Sequence, residues 1–203
     1  MLKLYYSAQT RAARPRWLLE EIGAPYELVR LSLPAGDQRK PAYLALNPNG
    51  TVPTLVDGDL TLYESAAICQ YLTDKFPDKH LAPPAGTPAR GLYYQWIHYA
   101  MSGLEPPAVA IFLNTIMKPE AERNPAIVAE AKLTLGKALR VVEQAVTGRT
   151  FILGTEFSTA DVMIGSTLAW AQMMGMIGSD LPAVAAYLGR LATRPAFQRA
   201  SAD

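Results

Sequence analysis

The chain has 203 residues, half of them hydrophobic, with 19 basic against 18 acidic side chains and a formal charge of +1. A sizeable core is within reach, while the balanced charge gives no reason to expect nucleic acid or an anionic membrane as partner. The single cysteine, Cys69, permits no internal disulfide, and no apolar run approaches the roughly 18 residues of a membrane span. The opening M-L-K-L-Y-Y reads as a strand rather than as a charged and apolar leader, so a cytoplasmic protein is expected.

Alternation of apolar residues predicts a strand over Leu2 to Tyr6, a helix ending at Glu21 and a second strand over Tyr26 to Leu31. Strands Thr54 to Val56 and Leu60 to Tyr63 follow, joined through Asp57-Gly58-Asp59, and a helix opens at Ser65. A β-α-β then β-β-α order implies a mixed four-stranded sheet with helices packed on it, a thioredoxin-like domain assigned to residues 1–80. Between Pro77 and Pro88 four prolines and a glycine block helix and strand alike, and residues 81–88 are read as the linker. Beyond it, Leu92 to Met117, Ile127 to Val146, Ala160 to Met174 and Val184 to Leu191 carry apolar residues at spacings of three and four, so residues 89–203 are expected to be an all-helical bundle. The fold class is thus α/β followed by all-α.

One stretch of the first domain suits a small peptide held by its main chain. A turn N-P-N-G leads into Thr51-Val52-Pro53, where a cis bond before Pro53 would turn the Val52 N–H and C=O outward to pair with an extended ligand. Eleven residues on, Glu64 can accept from an ammonium, and Ser65, at a helix start, offers its hydroxyl and unpaired backbone N–H groups to a carboxylate. A Glu-Ser pair opening a helix is more often only a cap; its place after T-V-P reverses that preference here.

The opening L-Y-Y-S-A-Q-T-R-A-A-R-P-R-W-L-L-E-E-I-G, the N-P-N-G-T-V-P-T-L, the L-Y-E-S-A-A-I and the late F-S-T-A-D-V resemble the glutathione transferases over essentially the whole chain. The similarity is greatest to bacterial and fungal members with serine or threonine, rather than tyrosine, at the thiolate position. It implies glutathione as co-substrate with no prosthetic group, a homodimer, and transfer of glutathione to small hydrophobic electrophiles. Peroxidase, disulfide reductase or isomerase chemistry on the same fold, or ligand carriage without catalysis, stand as the alternatives. The strand-to-helix stretch Ser7 to Arg11 holds no cysteine, so the sulfur must come from the ligand. A thiol of pKa near 8.5 is only about 3% ionised at neutral pH, and lowering it by about two units takes about 2.7 kcal/mol of anion stabilisation.

By resemblance Thr10 is the first choice as hydrogen-bond donor to that thiolate, with Ser7 the runner-up and Arg11 a source of positive charge. Irregular amides around Arg11 to Ala13 and the helix dipole are expected to add to it. The plain alternative for Thr10 is a helix cap. Tyr5 and Tyr6 are poorer donors, because strand alternation commits at least one to the core. Val52 and Pro53 would meet the cysteinyl main chain and Glu64 with Ser65 the γ-glutamyl end. In the loop Asp37 to Pro41, Gln38 and Lys40 are preferred over Arg39 for the glycyl carboxylate, with Asn49 and Thr51 at the edge. Met101, Glu105, Phe112 and Ile116 are the candidates for the electrophile site, on a helix that Glu105-Pro106-Pro107 should kink or break.

Other features read as structural. Ser158 and Asp161 fit a capping box with a Phe157/Val162 staple, which makes Asp161 a folding residue. Cys69 sits at helical spacing with Ala66 and Leu72 as a small hydrophobe, and the Met173-Met174-Gly175-Met176 cluster is read as packing before pocket. His80 and His98 have no second ligand at metal spacing, and no metal is assigned.

Overall fold

The computed structural model describes residues 1–202, which divide into two compact units, 1–81 with 193–202, and 82–192. In the first unit β1 (Leu2–Tyr6), β2 (Tyr26–Arg30), β3 (Thr54–Asp57) and β4 (Leu60–Tyr63) form one sheet in the order β2-β1-β3-β4. β1 runs parallel to β2 and antiparallel to β3, with Leu4 facing Leu28 on one side and Leu55 on the other. A parallel pair needs a crossover; α1 (Ala13–Ile22) supplies it. β3 and β4 are a hairpin in which Asp57 pairs with Leu60, so Gly58-Asp59 is the two-residue turn.

Alternation along β1 buries Leu2, Leu4 and Tyr6. Trp17, Leu18, Leu19 and Ile22 of α1 and Ile68, Cys69 and Leu72 of α3 (Ser65–Lys75) complete this core. Tyr5 points the other way and meets Tyr43 of α2 (Pro41–Leu44), a short helix absent from the expectation, at 5.5 Å between ring centroids.

The last residues depart from the expected boundary. The sequence assigns residues 89–203 to the helical domain, whereas α9 (Pro195–Ala200) packs on α1 and belongs with the first unit. Phe197 meets Trp17 edge-on at 4.9 Å. Arg194 donates to both carboxylate oxygens of Glu21 at 2.6 and 2.8 Å, and Arg199 donates to Glu20 at 2.7 Å. The W-L-L-E-E run thus anchors the end of the chain, a job no local pattern could reveal.

The second unit is helical: α4 (Pro88–Tyr99), α5 (Glu105–Phe112), α6 (Pro125–Val146), α7 (Thr159–Met173) and α8 (Pro182–Ala192). Thr87 caps α4, Asn124 caps α6, and Glu143 accepts from the N–H groups of Ala183 and Val184 at the start of α8. At Glu105-Pro106-Pro107, where a kink or break is expected, the chain stays helical but the regular α-helix is interrupted. A π-helical turn over Ala100–Leu104 precedes them, widening the winding where two prolines remove donors, and α5 resumes at Glu105. A second π turn, Leu113–Met117, closes α5.

Asp161 is fully buried and accepts four hydrogen bonds, from the Ile152 N–H, the Ser158 N–H and hydroxyl, and the Tyr187 hydroxyl. The capping box is present, and Phe157 packs edge-on against Phe151 at 5.5 Å. At the other end of α7 Met173 is 60% exposed, so this member of the methionine cluster is not core packing.

Candidate active site

The N-P-N-G turn is built from inside. Asn47 is fully buried, and its amide donates to the Thr51 carbonyl at 2.8 Å and to Thr54 Oγ1 at 3.1 Å, while its Oδ1 accepts from the Asn49 N–H. The Tyr43 hydroxyl meets the same Thr51 carbonyl and Thr54 hydroxyl. Gly50 has φ of 60°, and a Cβ there would lie 3.2 Å from the Gln38 carbonyl oxygen, so glycine is required both for its conformation and for the close approach of the 37–40 loop. Thr51 is thereby fixed, the Val52-Pro53 bond is cis, and the sheet ladders begin only at Thr54, leaving the peptide groups of Val52 outside them. Asn47 and Tyr43 were not among the sequence candidates, although both Asn47 and its turn were conspicuous; burial was the missing signal.

Glu64 precedes α3 with φ of 74°, unusual for a residue with a side chain. Its carboxylate is exposed and has no hydrogen-bond partner among the described residues. Among the described residues no side chain caps α3, so the amides of its first turn are left for another acceptor. Ser65, 3% exposed, accepts a hydrogen bond at 3.1 Å from Nη1 of Arg14, itself 2% exposed on α1. Arg14 was missed because its partner lies 51 residues away.

In the loop after β1 the Thr10 hydroxyl donates to the Ser7 carbonyl at 2.7 Å and accepts from the Ala12 N–H at 3.2 Å. The Ala13 N–H also turns back, to the Thr10 carbonyl. Two of the three amides expected to face an anion, those of Ala12 and Ala13, are therefore engaged locally, because this stretch winds into a turn before α1. Gln9 lies between Ser7 and Thr10 with φ of 56°, and Arg11 is exposed. The Ser7 hydroxyl is half-buried without a hydrogen-bond partner among the described residues. Both tyrosines are occupied by packing, Tyr6 buried beneath the Arg16 guanidinium at 4.8 Å and Tyr5 against Tyr43.

Lys40 pairs with Asp37 at 2.7 Å and lines a cavity of about 310 Å³ with Tyr5, Leu31 and Leu46, on the α2 side of the sheet. Gln38 Oε1 is buried with no hydrogen-bond partner among the described residues, a poor match for a residue whose only duty is solvation. In the helical unit Met101 lies in the first π turn and Glu105 is buried at the start of α5. Phe112 stacks on Trp170 at 5.8 Å, and Ile116 is 53% exposed in the second π turn. Cys69 is buried, and burial pushes its thiol up to about 12 against a smaller opposing pull from Arg14, so it stays a protonated hydrophobe. Among the described residues no cluster of three metal-ligating side chains occurs, and no helix is long and apolar enough to cross a membrane.

Residues 2–74 match the model of the glutathione S-transferase N-terminal domain and residues 125–190 that of the C-terminal domain. Glutathione S-transferase 4 of Zea mays is 37% identical over 186 residues, 89% of this chain and 82% of the relative. The chain belongs to the glutathione S-transferase family. Among solved structures, the theta class transferase of Xanthomonas axonopodis pv. citri with glutathione bound is 32% identical, with a TM-score of 0.88 over all of this chain and 97% of that one. A Phanerochaete chrysosporium transferase in complex with oxidized glutathione gives 26% identity and a TM-score of 0.88 over 98% and 94%. Every candidate of the transferase's first unit lies inside the matched N-terminal stretch. Met101, Glu105, Phe112 and Ile116 lie between the two matched stretches.

Proposed function

We propose that this transferase binds glutathione on its first unit, ionises the thiol, and couples the sulfur to a small hydrophobic electrophile. The uncapped start of α3, with the free Glu64 carboxylate beside Ser65, carries the reading. An exposed acid and a set of amide donors adjoining each other match the ammonium and carboxylate of an α-amino acid. The Val52 peptide, outside the sheet ladders and followed by Pro53, pairs with the cysteinyl main chain. Gln38 and Lys40 take the glycyl carboxylate, with Thr51 at the edge. Relatives solved with glutathione or its oxidized form support this choice of ligand.

Thr10 serves as donor by turning its hydrogen from the Ser7 carbonyl to the sulfur, with Arg11 contributing charge from the same loop. The thiol proton leaves to solvent, the thiolate sulfur forms a bond to the electrophilic carbon, and the leaving group departs with its electron pair. Met101, Glu105, Phe112 and Ile116 form the electrophile site of the helical unit. A second reading gives the donor role to Ser7, whose hydroxyl has no competing partner among the described residues.

Ultraviolet absorbance of the bound thiolate against pH tests this reading, with the bound fraction measured separately. A thiol lowered by about two units in the wild type, returning towards its solution value in Thr10→Ala, is the expected result. Return in Ser7→Ala instead moves the role to Ser7. Glutathione bound with an unshifted thiol would leave a carrier rather than an enzyme.

We also read the protein as a cytoplasmic homodimer. The resemblance to the family implies this assembly, and Leu92 on α4, 49% exposed, is apolar surface open to a partner. Light scattering at micromolar concentration is expected to give twice the chain mass of 22.1 kDa; a single-chain mass at that concentration would overturn the assignment.

A further inference from the structure

We propose that Arg14 is a positioning residue for the γ-glutamyl carboxylate: it holds Ser65 as an acceptor, so that the one hydroxyl hydrogen of Ser65 is aimed at the ligand. The inference rests on the assignment of Ser65 to that carboxylate.

The argument is one of donor arithmetic. A guanidinium carries only donors, and a serine hydroxyl carries one hydrogen and two lone pairs. In the Arg14 to Ser65 contact the hydrogen therefore belongs to Arg14, and the Ser65 hydrogen must point elsewhere. Among the described residues it meets no acceptor. A hydroxyl on a residue 3% exposed does not ordinarily keep its hydrogen unused. The carboxylate of a bound amino acid supplies the missing acceptor, next to the uncapped amides of α3.

Charge works in the same direction. Arg14 is 2% exposed and sits behind the first turn of α3, where its field also reaches Cys69, one turn on, and pulls that thiol down against burial. The guanidinium lies beside the positive end of the helix, which itself favours an anion there. The role assigned to Arg14 is exerted through Ser65.

The test uses glutathione and its analogue 4-aminobutyryl-cysteinylglycine, which keeps the amine, thiol and glycine but lacks the γ-glutamyl α-carboxylate. Calorimetric Kd values are measured for wild type, Arg14→Met and Arg14→Gln, with folding followed by circular dichroism. Wild type is expected to prefer glutathione by roughly tenfold or more. In Arg14→Met that preference should fall towards one, because the glutathione Kd rises while the analogue Kd changes little. If Arg14→Met does not fold, Arg14→Gln, which keeps a polar end in the buried site but whose shorter side chain lacks the reach of Nη1 to Ser65, should lose preference in the same direction. A preserved preference in the folded variants, with both ligands weakened alike, would make Arg14 a packing residue and overturn the proposal. Equal binding of the two ligands by wild type would remove Ser65 as carboxylate donor, and this proposal with it, while leaving glutathione binding intact. Failure of wild type to bind either ligand would instead reject the functional reading itself.

Discussion

Replacing Asp161 by alanine is expected to lower the unfolding free energy by about 3–5 kcal/mol, a large share of the 5–15 kcal/mol typical of a folded chain. The carboxylate is buried and accepts from Ile152 and Ser158 backbone N–H groups and from the Ser158 and Tyr187 hydroxyls. Alanine strips the acceptor from donors that water cannot reach. Burial, and then the neighbouring Asp161, push the Tyr187 phenol far up, so Tyr187 remains a donor throughout the useful pH range. Asparagine should rescue only in part. Whichever oxygen becomes an amide nitrogen, it faces a backbone N–H, and only the hydroxyls can rotate to accommodate it. Urea unfolding of the three proteins checks the order wild type, Asn, Ala; turnover per folded molecule should barely change. Unchanged stability in Asp161→Ala with lost turnover would move Asp161 from the folding role to the chemistry.

The second large effect is expected at the clasp between α1 and α9. Glu21, its side chain 9% exposed, accepts from Arg194 Nε and Nη2 and from the Trp17 indole at 2.9 Å. Glu21→Ala removes all three bonds from a largely buried site, and about 2–3 kcal/mol of stability should go with them, less than for a fully buried pair because Arg194 is 28% exposed. Arg194→Ala should cost less, and the double variant should lose little beyond Glu21→Ala, giving a coupling above about 1 kcal/mol. Additive losses would show that the two side chains do not act as a pair.

Acid should weaken the same clasp through Glu20. Burial raises the Glu20 carboxyl, but hydrogen bonds from Arg199 and Tyr26 outweigh it and hold the carboxyl below the usual range; Tyr26, by burial and the Glu20 contact, is pushed up to about 12. A lowered carboxyl favours the fold above its unfolded value of about 4.3, and that contribution is lost as pH falls through the folded value. Stability of wild type should therefore drop faster below pH 4.3 than that of Glu20→Gln.

What the sequence by itself determined is what depends on neighbours a few residues apart. Short strand-like runs, two of them joined through Asp57-Gly58-Asp59, marked all four strands, the i, i+3 capping box marked α7, and N-P-N-G followed by T-V-P marked the turn before β3. Glu64-Ser65 could be read because helix starts have a local chemistry. Tertiary structure decided what depends on partners distant in sequence. Arg14 meets Ser65 across 51 residues, Tyr187 meets Asp161 across 26, and Arg194 meets Glu21 across 173. Asn47 looked like an ordinary turn residue until burial gave its amide two fixed acceptors. Pro106-Pro107 mark a kink or break in the sequence, and only the folded chain shows that the interruption takes the form of a π turn before α5. The Thr10 hydroxyl, ambiguous between cap and donor in the sequence, holds the Ser7 carbonyl in the folded chain. Local preference selects a residue's backbone state, but packing decides which polar atoms water can no longer serve, and those atoms choose the long-range partners.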